Sequence, residues 1–231
     1  MVNALVLPQL ITQLLYNRGL ADPSQFELFI SDDKRLVGDP FLLPDIQKAV
    51  SRIYQALLSG ENIAVYGDFD VDGVTATALL VQGLSILGGK VIPYIPHRLT
   101  EGYGVKITAL ENLRQQGITL VITVDCGITA LAEVKKAKRM GLHIIITDHH
   151  TPLPELPPAL ATVNPRLSGS AYPFSELTGA GVALKLLQAL FQGIGKEKQL
   201  EELLDLVALG TVADMAPLLG ENRYLVKQGL S

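Results

Sequence analysis

The sequence predicts an α/β fold, a mostly parallel sheet with helices on both faces followed by a helical segment, and three observations point there. Short runs of Val, Ile and Leu alternate with longer segments whose apolar residues recur at helical spacing. The runs are apolar throughout rather than at every second residue, as expected of strands covered on both faces. Glycines stand where the helix-like segments stop, at Gly88-Gly89 and Gly141.

Taken in order, Asn62 to Tyr66 is the first strand, closed by Gly67. Val74 to Leu87 reads as a helix, Lys90 to Ile95 as a strand, Ile107 to Gln116 as a helix and Thr119 to Val124 as a strand. Ala130 to Met140 is helical, Leu142 to Thr147 is extended, and Ala161-Thr162-Val163 is a short strand. Ahead of this core, residues 1–60 form a helical extension expected to pack on it, with a helix near Gln9 to Asn17, a loop at Asp39-Pro40-Phe41 and a helix from Asp45 to Leu58. Residues 151–176 are rich in Pro and read as an irregular loop around that short strand. From Gly179 onward the pattern is helical: Val182 to Phe191, Lys198 to Leu209 and Arg223 to Leu230. Residues 61–231 are therefore expected to form one domain.

Composition narrows the class. With 231 residues, 48% hydrophobic and 18% charged, the chain can bury a full core. Its mean hydropathy is +0.31, yet no uncharged apolar run approaches the ~18 residues a membrane helix needs. Met1 to Leu20 lacks the basic start and cleavage site of a signal peptide, and the single Cys126 excludes an internal disulfide. A cytoplasmic protein without membrane contact is the expectation. The net charge of −4 does not suggest a phosphate-binding surface, but six of the twelve Asp residues, five in the motifs below and Asp214 in a later segment, fall where cations would offset them.

Those motifs are Asp68-Phe69-Asp70-Val71-Asp72-Gly73 after the first strand, Asp125 after the third, and Asp148-His149-His150 after the fourth. In an open parallel sheet, residues just past the strands meet along one edge, where ligands bind. Between Gly73 and Leu204 the only Asp residues are Asp125 and Asp148, and both hold this position. Clustered carboxylates repel unless a cation sits among them, and several Asp with one His suit Mn²⁺ or Mg²⁺ better than Zn²⁺. The triplet Asp68, Asp70 and Asp72 reads as a loop wrapped around metal, Asp125 as a bridging carboxylate and His149 as a nitrogen ligand. An EF-hand loop fails because its twelfth position is Leu79 rather than Glu.

The segments VYGDFDVDGVTATALL, TEGYG, VITVDCGIT, IIITDHHTPLPELPPALATVNPR, LTGAGVALKL and DLVALGTVADMAPLLGENRYLVKQGL carry a further signal. Together they resemble the DHH phosphoesterase family, and within it the exonucleases specific for single-stranded DNA. The resemblance covers nearly all of the chain from Asp45 onward. It implies that Asp68 and Asp70 hold one metal ion, that Asp72 and Asp214 hold a second, and that Asp125 bridges the two. It further implies that His149 is a ligand while His150 faces the substrate phosphate. Two such ions acidify a water for in-line attack at phosphorus. Asp148 is expected to orient a neighbouring histidine rather than bind metal. The catalytic set is then Asp125, His150 and Asp148.

What the resemblance implies in function is hydrolysis of single-stranded DNA from the 5′ end, releasing mononucleotides in DNA repair and recombination. A single-strand-binding protein or a helicase is the expected protein partner. Oligoribonuclease or cyclic-dinucleotide phosphodiesterase activity is one alternative, and a non-catalytic scaffold on the same fold is another. Arg98, just past a predicted strand, reads as a phosphate contact. Gly179-Ala180-Gly181 at a helix start either offers N–H groups from Gly179 and Gly181 to a phosphate or lets two elements pack closely. Cys126 reads as a small buried residue, and Lys135, Lys136, Lys138 and Arg139 as a solvated helix face. His143 is read as a surface or capping residue, and His97 carries no assignment. The family's substrate-binding domain and the oligonucleotide-binding fold have no counterpart before Ser231, so the chain is expected to be a fragment of a longer protein.

Overall fold

The computed structural model describes residues 8–20, 22–30 and 33–231. Five strands, β1 (Asn62–Tyr66), β2 (Lys90–Tyr94), β3 (Ile118–Val124), β4 (His143–Thr147) and β5 (Ala161–Val163), form one sheet in the order β2-β1-β3-β4-β5. Every neighbouring pair is parallel, so all five carboxyl ends lie at one edge.

The pleat sorts the strand residues between two helical layers. Ile63 and Val65 of β1, Leu120, Ile122 and Val124 of β3, and Ile145 of β4 share a core with α3 (Ile46–Ser59), α4 (Val71–Ile86) and α7 (Gly179–Phe191). Ala64 and Tyr66 of β1, Val121 of β3, and Ile144 and Ile146 of β4 pack instead on α5 (Ile107–Gln115) and α6 (Leu131–Arg139). Each fully buried Leu or Ile contributes about 1.5–3 kcal/mol, so these two layers supply most of the driving force. Ile46, Ala49, Ile53 and Ala56 of α3 sit in the same cluster as the strands, so this part of the extension shares the sheet's core.

Both sheet edges are managed. On β2, Tyr94 O accepts from Gly67 N at 2.9 Å, so the neighbouring Pro93 turns its main chain outward, where its missing N–H leaves nothing unpaired. β2 is nevertheless half exposed, which corrects the expectation of cover on both faces for this strand. At the other edge, Asp45 Oδ2 accepts from Thr162 N at 3.2 Å, and α3 lies along β5.

Other departures are local. α4 begins at Val71, three residues before the expected start, because Asp70 caps it by accepting from Gly73 N at 2.9 Å. The segment expected as one helix from Lys198 to Leu209 is two, α8 (Lys198–Glu201) and α9 (Leu204–Ala213), and α10 (Gly220–Gly229) follows. α1 (Gln9–Asn17) stands where expected, whereas α2 (Pro23–Ile30) had no counterpart in the sequence reading. Behind the sheet, the fully buried Lys185 of α7 pairs with Glu221 of α10 and donates to Gly38 O at 3.1 Å, while Tyr172 Oη donates to Glu221 at 2.6 Å. Among the described residues, no helix is long and apolar enough to cross a membrane.

Candidate metal centre

Three parallel strands deliver the acidic residues to one edge. Asp125 and Asp148 directly follow β3 and β4, and each extends the ladder by a rung: Asp125 N donates to Thr147 O and Asp148 N to Val163 O, both at 3.1 Å. Asp68 lies two residues past β1, Asp70 caps α4, and Asp72 occupies its first turn. Asp125 adopts a left-handed backbone, φ 58°, a strained conformation that Asp and Asn tolerate better than most residues.

The side chains converge in linked groups. Asp68, Asp70 and Asp125 each place a carboxylate oxygen within 4.8 Å of the others, and carboxylate oxygens of Asp72 and Asp214 lie equally close to each other and to a ring nitrogen of His149. His149 Nε2 joins them, 3.0 Å from Asp125 Oδ1 and 3.8 Å from Asp72 Oδ2. The triplet therefore does not wrap one site as a single loop. Because α4 starts inside it, Asp72 turns away from Asp68 and Asp70 and faces Asp214, which caps the end of α9. Asp214 is thus adjacent to Asp72 despite the long stretch of sequence between them.

The Asp148-His149-His150 turn is organised by Asp148. Its Oδ1 accepts from His149 N at 2.7 Å and His150 N at 3.0 Å and lies 2.7 Å from His150 Nδ1; its Oδ2 accepts from Ile128 N at 2.9 Å. With its oxygens so engaged, Asp148 orients His150. His150 remains 43% exposed at the mouth of the site, with Nδ1 4.0 Å from Asp125 Oδ1. Its atoms also lie within 4.8 Å of ligand atoms of Asp125 and His149. Tyr103 meets its ring edge-on, and the exposed Arg98 guanidinium lies 5.2 Å from the centre of the Phe69 ring, between Asp68 and Asp70 in sequence.

At Gly179 and Gly181, expected either to offer N–H groups to a phosphate or to let two elements pack closely, the N–H groups bond within the chain. Gly179 N donates to Asp72 Oδ2 at 2.5 Å, Ala180 N to Asp72 Oδ1 at 2.9 Å, and Gly181 N to Thr178 Oγ1 at 3.2 Å, so these N–H groups already have acceptors. Close packing explains Gly179, since a Cβ there would fall 2.5 Å from Asp125 Cβ. Cys126 is fully buried on the α5/α6 side, and burial raises its thiol pKa well above the ordinary value.

Electrostatics fit a cation. Burial raises the pKa of Asp68 and Asp72, and burial with the Asp72, Asp70 and Asp148 carboxylates pushes Asp125 up to about 10. Burial lowers that of His149. Burial opposes ionisation of Asp148, but the His150 hydrogen bond and charge hold it below the ordinary value, while that hydrogen bond pushes His150 up to about 9. Asp68 Oδ1, Asp125 Oδ1 and His149 Nε2 are buried with no aligned hydrogen-bond partner. Orphaned carboxylate and imidazole atoms facing one another suit hard divalent ions, and no thiolate is among them.

Residues 62–211 match the model of the DHH family, N-terminal domain. The chain belongs to the DHH family. A single-stranded-DNA-specific exonuclease RecJ of Bacillus subtilis (strain 168) is 44% identical over 221 residues, 96% of this chain and 28% of that protein. The crystal structure of an exonuclease RecJ bound to manganese superposes with a TM-score of 0.74 at 46% identity, covering 81% of this chain and 48% of that one. RecJ from Thermus thermophilus in complex with Mn²⁺ gives 0.74 at 38% identity, covering 94% of this chain and 30% of that one. This DHH chain therefore spans less than half the length of these relatives.

Two residues at the DHH site escaped the sequence reading. Gly210 of α9 packs where a Cβ would lie 2.7 Å from Asp72 Oδ1, and Asn164 bonds the main chain of His150. For Asn164 the available signal was its place, a polar residue directly after β5 just as Asp148 directly follows β4.

Proposed function

We propose that this chain is the catalytic part of an exonuclease that hydrolyses single-stranded DNA from its 5′ end and releases 5′-mononucleotides, in DNA repair and recombination, with two Mn²⁺ or Mg²⁺ ions as cofactors. In this reading residues 61–231 are the catalytic domain, and the described residues ahead of them, α3 above all, are an extension packed on it. The observation that carries the reading is the pair of adjoining ligand groups, Asp68, Asp70 and Asp125 beside Asp72, His149 and Asp214, joined through the 3.0 Å approach of Asp125 and His149. Relatives named as single-stranded-DNA-specific exonucleases support the substrate class.

In this reading Asp68, Asp70 and Asp125 hold one ion, and Asp72, His149 and Asp214 hold the other. When bound, such ions supply Lewis acidity, lowering the pKa of a water and neutralising charge on phosphate oxygens. The chain's own groups do the rest. Asp148 accepts from the His150 ring and keeps it protonated, so His150 presents an imidazolium to a phosphate oxygen as negative charge builds there. Arg98, beside Phe69, binds the phosphate of the strand end. A single-strand-binding protein or a helicase would deliver that strand.

Release of mononucleotides from 5′-labelled single strands, compared with duplex DNA and short RNA, tests the proposal. Release fastest from single-stranded DNA, lost on chelation and restored by Mn²⁺, is expected. Faster release from short RNA would make the chain an oligoribonuclease, and no release from any of the three would make it a scaffold.

A further inference from the structure

We propose that Asn164 is a positioning residue that holds His150 in place. The inference rests on the phosphodiesterase reading above, in which His150 faces the phosphate. Asn164 follows β5 and is fully buried, an expensive place for an amide unless both of its ends are bonded.

Both ends are used. Its Nδ2 donates to His150 O at 2.9 Å, and its Oδ1 accepts from Arg166 N at 2.8 Å. The main-chain partners settle the amide's orientation, because an N–H can only donate and a carbonyl can only accept. The parallel ladder between β4 and β5 ends with Asp148 N donating to Val163 O, and the Asn164 side chain supplies the next link, two residues further along the β4 exit. The turn is thus gripped twice. Asp148 gathers both histidine N–H groups and the His150 ring from within, and Asn164 fixes the carbonyl where the chain leaves for residues 151–160.

Residue chemistry makes the role specific. Asp has the same shape but cannot donate, so it keeps the Arg166 bond and sets an oxygen against His150 O; Ala keeps neither. Released at its carbonyl, His150 loses the fixed geometry that its bond to Asp148 depends on, whereas His149, buried among Asp72 and Asp125, does not. Displacing a group that faces the reacting phosphate typically costs ~10- to 100-fold in rate.

The test uses the full chain carrying Asn164→Asp, with Asn164→Ala beside it. Two-bond ¹H–¹⁵N spectra of the Mg²⁺-loaded protein should show the His150 Nδ1 resonance shifted and its proton exchanging faster, with His149 unmoved. In kinetics, kcat should fall ~10- to 100-fold with Mn²⁺ affinity within about 2-fold of the parent, and Asn164→Asp should add nothing in a His150→Ala background. An unmoved His150 resonance overturns the inference, whatever the activity. So does an additive double-mutant cycle, which would mean that Asn164 serves the fold alone. A parent chain that hydrolyses nothing overturns the proposed function instead, and the spectra still decide whether Asn164 holds His150.

Discussion

Asp125 combines a left-handed backbone, burial and a ring of carboxylates, and each has a measurable consequence. With its pKa pushed up to about 10, the metal-free cluster holds a proton at pH 7–8 that an incoming cation must displace. Mn²⁺ binding should therefore release protons and tighten as pH rises through that range. Titration calorimetry in buffers of different ionisation heat checks the sign, and binding without proton release would contradict it. Asn at this position keeps the tolerated backbone but loses the charge. Asp125→Asn should remain folded, abolish the release and lower turnover by at least ~100-fold. The residues at the strand ends, Asp68, Asp125 and Asp148, were legible in the sequence because each follows an apolar run. Asp214 was legible only through family resemblance, since helix packing, which no local pattern encodes, brings it to Asp72.

At the scale of elements, α7 and α4 meet through main chain and carboxylate rather than through apolar side chains alone. The first N–H groups of α7, unpaired within the helix, bond Asp72, and the absence of a Cβ at Gly179 lets Asp125 approach. Gly179→Ala should push the start of α7 away from Asp125 at the end of β3, destabilising the fold by ~1–3 kcal/mol and weakening Mn²⁺ binding together, as chemical denaturation and calorimetry would show. Strand identities and their parallel arrangement were legible because apolar runs and Gly stops are local signals. Three features were not. The start of α4 at Val71 depends on Asp70 as a cap rather than as free loop, the break between α8 and α9 falls at Glu202-Leu203 with no Gly or Pro to mark it, and the Asp22-Pro23 start of α2 passed unread.

Across the whole molecule, one buried network ties the extension to the helical end: Lys185 and Glu221, with Tyr172 and Gly38 O. Burial lowers the Lys185 pKa, and Glu221 supports its charge. Breaking such a pair from one side leaves a buried charge alone, so Lys185→Met should cost ~3–5 kcal/mol, and adding Glu221→Gln should recover part of it. A negligible loss in thermal or denaturant unfolding would show that the network is solvated. Under the proposed function, cations held by the carboxylates at the carboxyl edge of the sheet would reverse the local sign and let an acidic chain meet a polyanionic substrate. Anomalous diffraction from crystals of the chain grown with Mn²⁺ tests that account most directly. Two peaks are predicted, one among Asp68, Asp70 and Asp125 and one among Asp72, His149 and Asp214, with Asp125 reaching both. A single peak, or peaks away from Asp125, would contradict it.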